Sequence, residues 1–226
     1  MVILNNDVSV ENILTMNGGD INTQNSTLTL GQNTSSIGTL VHSSGTVIGK
    51  FERWISGTGT DFRFPVGNSS YFRPLDINFS DLTDGSLIAE FHTSAPGNDG
   101  LPLTDGSVEI SNAFLDGYWS LTRANALASS DYDLTLTGTG FTSFPVVDET
   151  RLLIRENSSA DWTVEGSHLA ASADTVRREN LATLNAEYGF GDTTACTPPA
   201  TSAITGNNSV CAGDAGESYT VDLNAG

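Results

Sequence analysis

Period-two alternation is the feature that most limits what this chain can fold into. In "SLIAEFHTS", Leu87, Ala89 and Phe91 fall on one side of an extended backbone and Ile88, Glu90 and His92 on the other, because successive strand side chains point to opposite faces. "YDLTLTGTGF" repeats the pattern, with Tyr132, Leu134 and Leu136 set against Asp133, Thr135 and Thr137. "GKFERWIS", "DFRFPVG", "GYWSLTR", "RLLIREN" and "DWTVEG" read the same way, and "GTGTD", "PGNDG", "TGTG" and "NSSAD" separate them as turns. Only "ASADTVRRENLATLNAEYGF" has a helical texture, and its β-branched Thr175 and Val176 and aromatic-glycine ending make it strands as well. The fold class expected is all-β, with a β-sandwich body over residues 46–192.

Residues 1–45 differ from that body. The apolar pairs Val8/Val10, Ile13/Leu14 and Leu28/Leu30 are short and set apart by Asn- and Thr-rich stretches. Such rungs suit a short β-solenoid-like segment packed on the body, where each coil buries its apolar face against the next. A pair of hairpins fits the same pattern. Residues 193–203 form a Thr/Pro/Ala-rich linker, and alternation resumes over 204–226 at Tyr219, Val221 and Leu223. That last piece is too short to bury a core of its own.

Charge excludes some partners. Nine basic residues stand against 27 acidic ones, for a net charge of −18, and the only lysine is Lys50. Nucleic acid needs an electropositive face, so it is not an expected partner, and an anionic membrane surface is disfavoured on the same ground. No run of about 18 apolar residues is present, so membrane insertion by a helix is not expected. Met1 is followed by "VILNNDVSVEN", which lacks the basic and apolar regions of a signal peptide; the expectation is a mature segment or an excised fragment. An acidic, lysine-poor surface suits a salty exterior, where charges are screened beyond about 8 Å.

Chemistry-bearing patterns are sparse. His42, His92 and His168 are scattered, and no "G-x-S-x-G" elbow accompanies them. Oxygen-rich turns at Asp81 and Asp84, and at Asn98, Asp99 and Asp105, supply the ligand types that Ca²⁺ takes, and they equally suit Asx-turns without metal. Trp54, Tyr71, Trp119 and Trp162 are the aromatics that could stack on a sugar ring, with a sandwich core as their other use. Trp54 shares a strand face with Lys50 and Glu52, opposite Phe51 and Ile55, which puts it toward solvent. Cys196 and Cys211 leave two readings open: a disulfide, worth about 3 kcal/mol by loop closure, or two free thiols.

"ITGNNSVCAGDAGESYTVDLNAG" resembles the opening of the PKD-like, immunoglobulin-type modules of large secreted proteins from Bacteroidetes-type bacteria, through Ile204, Gly206, Val210, Cys211, Tyr219 and Val221. The body, with "GTVIGKFERWI", "FRFPVGNSSYFRPL", "YWSLTR" and "NAEYGFGD", resembles the β-rich segment preceding such modules in type IX-exported, gliding-type surface proteins. The resemblance implies an extracellular, cell-surface location, a non-enzymatic structural or adhesive role, and neighbouring modules or other copies as partners. It carries over no catalytic residue. The unfinished module is expected to be a severed neighbour, with completion by strand pairing to another chain as the second reading. Capture of extracellular polysaccharide is the alternative function, and an accessory domain of a hydrolase the third.

Overall fold

A computed structural model describes residues 1–193. Cys196, Cys211, the rest of the linker and the strands expected over 204–226 lie outside the described residues. Among the described residues every regular element is a strand, and the fold is all-β.

The N-terminal rungs stack in parallel. The chain runs through β1 (Val2–Ile3), β2 (Val8–Val10) and β3 (Ile13–Asn17), then β4 (Ile21–Leu30) and β5 (Thr39–Ser44), then β6 (Val47–Ile55). β1 and β2 lie parallel to β4, β4 parallel to β6, and β3 parallel to β5. Parallel neighbours so close in sequence cannot be hairpins, which are antiparallel; they are successive coils. Equivalent corners recur, since Gly19 precedes β4 by two residues as Gly45 precedes β6, and Asp20 Oδ1 accepts the Thr46 amide at 3.0 Å between them. Gly45 has φ +98°, and a side chain there would strike the Gly19 carbonyl of the coil beside it.

β6 carries this stack into the body. The remaining strands are β7 (Asp61–Phe64), β8 (Leu75–Phe79), β9 (Gly85–His92), β10 (Leu103–Asp105), β11 (Val108–Ile110), β12 (Asn112–Ala113), β13 (Tyr118–Ala124), β14 (Tyr132–Thr137), β15 (Arg151–Arg155), β16 (Ser167–Ser172), β17 (Thr175–Leu181) and β18 (Ala186–Asp192). A nine-stranded sheet runs β1-β4-β6-β9-β13-β18-β12, with β2 also on β4 and β15 also on β18. A five-stranded antiparallel sheet runs β16-β17-β14-β8-β7. Their apolar sides form one core: Phe51, Leu87, Phe91, Trp119, Tyr188 and Phe190 of the large sheet cluster with Phe62, Phe64, Ile77, Phe79, Tyr132 and Leu134 of the small one. Phe51 and Phe64 meet edge to face across the layers at 5.9 Å. Met16, Leu28 and Leu30 belong to the same cluster, so residues 1–45 share the body's core.

A second, smaller core lies on the far side of the large sheet. Ile110 of the β10–β11 hairpin, Ala113, Leu153 and Trp162 pack together there. Gly189 and Gly191 of β18 give them room: a Cβ on Gly189 would sit 3.2 Å from the Trp162 ring, and one on Gly191 would sit 2.6 Å from Ile110. "DWTVEG", expected as a strand, makes only the isolated bridge of Thr163 to Ile154, and Trp162 packs its ring against Gly189 of β18.

Candidate functional site

Two of the four aromatics that could stack on a sugar ring take the other use open to them and are core residues. Trp119 is fully buried, with ring centroids of Phe91, Phe141 and Phe190 at 5.1, 5.6 and 5.3 Å, and its Nε1 donates to the Arg73 carbonyl at 2.8 Å. Trp162 is buried as well; its Nε1 donates to the Gly97 carbonyl at 3.0 Å and the Arg155 guanidinium lies 4.3 Å over its ring. Tyr71 stays exposed, stacked with Arg73 at 5.0 Å. Trp54 is half-buried on the outer face of β6, the side expected for it.

Tyr118, with His92 stacked on it at 4.6 Å, shares that outer face. The two aromatic positions do not make a row, since Trp54 pairs with Ser86 and Tyr118 with His92. Those partners stand at opposite ends of β9, about 20 Å apart at roughly 3.4 Å per residue.

His92 Nε2 lies 2.8 Å from Ser120 Oγ, the spacing of a base and a nucleophile. Ser120 lies inside the large sheet, paired with Glu90 on one side and Glu187 on the other. His42 stacks on Phe72 at 5.0 Å, and His168 bonds the Asp148 carbonyl at 3.0 Å.

The oxygen-rich turns hold loops together. Asp81 accepts from the amides of Ser130 and Asp131 and the hydroxyl of Ser129, each at 2.9 Å, and from Ser130 Oγ at 2.7 Å. Asp84 accepts from Ser56 Oγ at 2.6 Å and the Gly57 amide at 3.2 Å. Asn98 bonds Asn112 and the Ala113 amide, and the Asp99 carbonyl takes the Trp162 amide. Asp105 is bidentate with Arg178 at 2.7 and 3.1 Å. Among the described residues no three His, Cys, Asp or Glu side chains are grouped to hold a metal. The bonds from Ser130 and Ser129 hold the Asp81 carboxyl down at about 2. Its folded value lies below the unfolded one, so its contribution is present above about pH 4 and is lost as pH falls toward 2. The difference in melting temperature between the wild type and Asp81→Asn is expected to shrink over that window; a constant difference would count against these bonds.

No protein-family model, curated protein or solved structure matches the chain.

The first coils carry most of the exposed large apolar side chains among the described residues. Met1, Val2, Ile3, Val8, Ile13 and Val41 are six of the nine exposed large apolar residues among those described, and all belong to the first coils. β1 and β2 are paired on one side only, to β4. Natural sheet edges are blunted by shortness, charge, proline or bulges; β1 and β2 are short, at two and three residues, but residues 1–30 contain no Lys, Arg or Pro. Three other edges are protected: β7 presents Asp61 and Arg63, β16 has a bulge between Leu169 and Ser172, and β15 is bridged by Thr163.

A polar cleft of about 690 Å³ opens on the small sheet, lined by Arg53, Arg63, Asp76, Asn78, Thr135 and Arg177 among others.

Proposed function

We propose that the chain is a non-enzymatic structural or adhesive module of an extracellular surface protein, and that it associates with a second copy of itself through the edge strands β1 and β2. The observation that carries this reading is the exposure of Val2, Ile3 and Val8 along an edge that has no lysine or proline to blunt it. Antiparallel pairing of β1 with its twin across a two-fold axis satisfies the open backbone groups and covers Val2, Ile3 and Val8 on both copies. The acidic, lysine-poor surface and the resemblance to secreted surface proteins support the extracellular placement.

Light scattering on the wild type should show a concentration-dependent dimer. Ile3→Lys, at an exposed position, should abolish it and leave the melting temperature of the monomer within about 2 °C, as for surface changes generally. A wild type that stays monomeric up to millimolar concentration, or a dimer indifferent to the lysine, overturns the reading. A dimer that vanishes when the chain is ended at Asp192 overturns it too, since the contact would then lie in the tail.

A further inference from the structure

The cleft on the small sheet is built from two rows of cross-strand neighbours. Arg177, Thr135, Asp76 and Arg63 align over β17, β14, β8 and β7, and Asp133, Asn78 and Asp61 form the next row. Leu40 and His42 of β5 flank it, and Arg53 reaches it from β6.

Acids and bases in this cleft are unequally employed. Both oxygens of Asp76 are taken by Arg63, at 2.8 and 3.0 Å. Asp61 Oδ1 accepts Asn78 Nδ2 at 2.8 Å, and Asp133 Oδ1 accepts the Asn180 amide at 3.1 Å. Arg177, by contrast, is exposed and has no hydrogen bond or ion pair among the described residues. Arg53 is only 8% exposed and lines the cleft; its Nη1 donates to the Arg63 carbonyl at 2.8 Å, its guanidinium lies 5.5 Å over Phe62, and its Nε, closed off from solvent, has no acceptor among the described residues. Burial lowers this guanidinium to about 10, against the opposing pull of Asp76. A buried cation with an unfilled donor is costly to keep unless something pairs with it. In a chain of net charge −18, this cleft brings together two arginines with donors to spare, the buried Arg53 and the exposed Arg177.

We propose that this cleft binds an acidic saccharide, with a carboxylate set against Arg53 and ring hydroxyls along the Asn78, Thr135 and Arg177 rows. Its volume is in the range of small-molecule sites. The lining favours a sugar over an acidic peptide, because Leu40 is its one aliphatic residue while the remainder are hydrogen-bonding groups spaced by the strand separation of about 4.8 Å. The overall charge favours isolated carboxylates over a dense polyanion, which the rest of the surface repels.

The probe is an aldobiouronic acid, one glucuronate joined to one neutral sugar, titrated by calorimetry into the full chain at physiological salt. Its carboxyl-reduced counterpart should bind at least about tenfold more weakly, the value of one charge-assisted hydrogen bond. Arg53→Met should erase the difference between the two sugars, and a buried methionine in place of an arginine that has no ion pair among the described residues should leave the fold intact. Arg177→Ala, at an exposed position, should weaken both sugars several-fold alike. Absence of binding at millimolar sugar, equal binding of the reduced form, full binding by Arg53→Met, or equal binding of an aspartate-rich peptide each overturns the proposal. If Arg53→Met does not fold, the comparison of the two sugars on the wild type and on Arg177→Ala still decides. None of these readings depends on whether the chain dimerises.

Discussion

Asp105→Ala is expected to destabilise the protein by about 3 kcal/mol, the low end of the range for breaking a buried ion pair. Asp105 sits on the β10–β11 hairpin and meets two arginines from other strands. Arg178 of β17, 1% exposed at its side chain, grips it through both terminal nitrogens, and Arg151 Nε of β15 lies 3.0 Å from the same oxygen, off the line of a hydrogen bond. Arg178 also donates to the carbonyls of Glu165 and Gly166. Removing the carboxylate leaves the buried Arg178 guanidinium with no ion pair among the described residues and Arg151 with only the exposed Glu149, and unpins the hairpin whose Ile110 packs with Leu153 and Trp162. The low end of the range applies because the Asp105 side chain keeps 19% of its surface. Arg178 chiefly, with Arg151 and His168 assisting against the cost of burial, holds this carboxyl below its usual range. The stability it confers is therefore present above about pH 4 and lost as pH falls below that. Urea unfolding of the variant near neutral pH tests the size; a loss under about 1 kcal/mol would mean the arginines find water instead.

The parts of the fold that were legible in the sequence are those where one strand face is buried and the other wet. Leu87, Ala89 and Phe91 of β9 are buried, as are Tyr132, Leu134 and Leu136 of β14, and their alternates are half-buried. Phe51 and Ile55 point inward while Lys50, Glu52 and Trp54 do not. Where both faces are covered, alternation says nothing. All five residues of β15 are buried, because the hairpin lies over the side that period two assigns to solvent. Trp162 was illegible for the same reason: its ring is part of that cover. Trp119 did leave a signal, since it shares parity with Leu121, which is buried beside it. Arg53 left one too: it falls between Phe51 and Ile55 on the core-facing side of β6, and an arginine at such a position marks a place where charge is held inside. The parallel stacking of the rungs could be expected from their shortness, but its register could not. The partners of successive coils are offset by 26 residues at Ile13/Thr39 and by 19 at Val2/Ile21, so no repeat of fixed length exists to be read.

Trp119→Ala should cost about 3–5 kcal/mol, the usual penalty for truncating a buried tryptophan. The indole is ringed by Phe91, Phe141 and Phe190, and the Arg73 guanidinium lies 4.7 Å over Phe91 and 4.6 Å over Phe141. Its loss opens a cavity at the centre of that cluster and leaves the Arg73 carbonyl without its donor. Arg73 is itself 3% exposed and bonds the carbonyls of Thr139 and Asp116, so the damage spreads to the loops that carry them. Trp119→Phe separates the two contributions: the ring volume is largely kept, and the orphaned carbonyl alone should cost about 1–2 kcal/mol. Trp54→Ala, on the outer face, should cost less than about 1 kcal/mol, as at surface positions generally. Urea unfolding of the three variants orders them. If Trp119→Ala and Trp54→Ala were equally mild, Trp119 would have to be accessible, and a role for it in contacting a ligand would return.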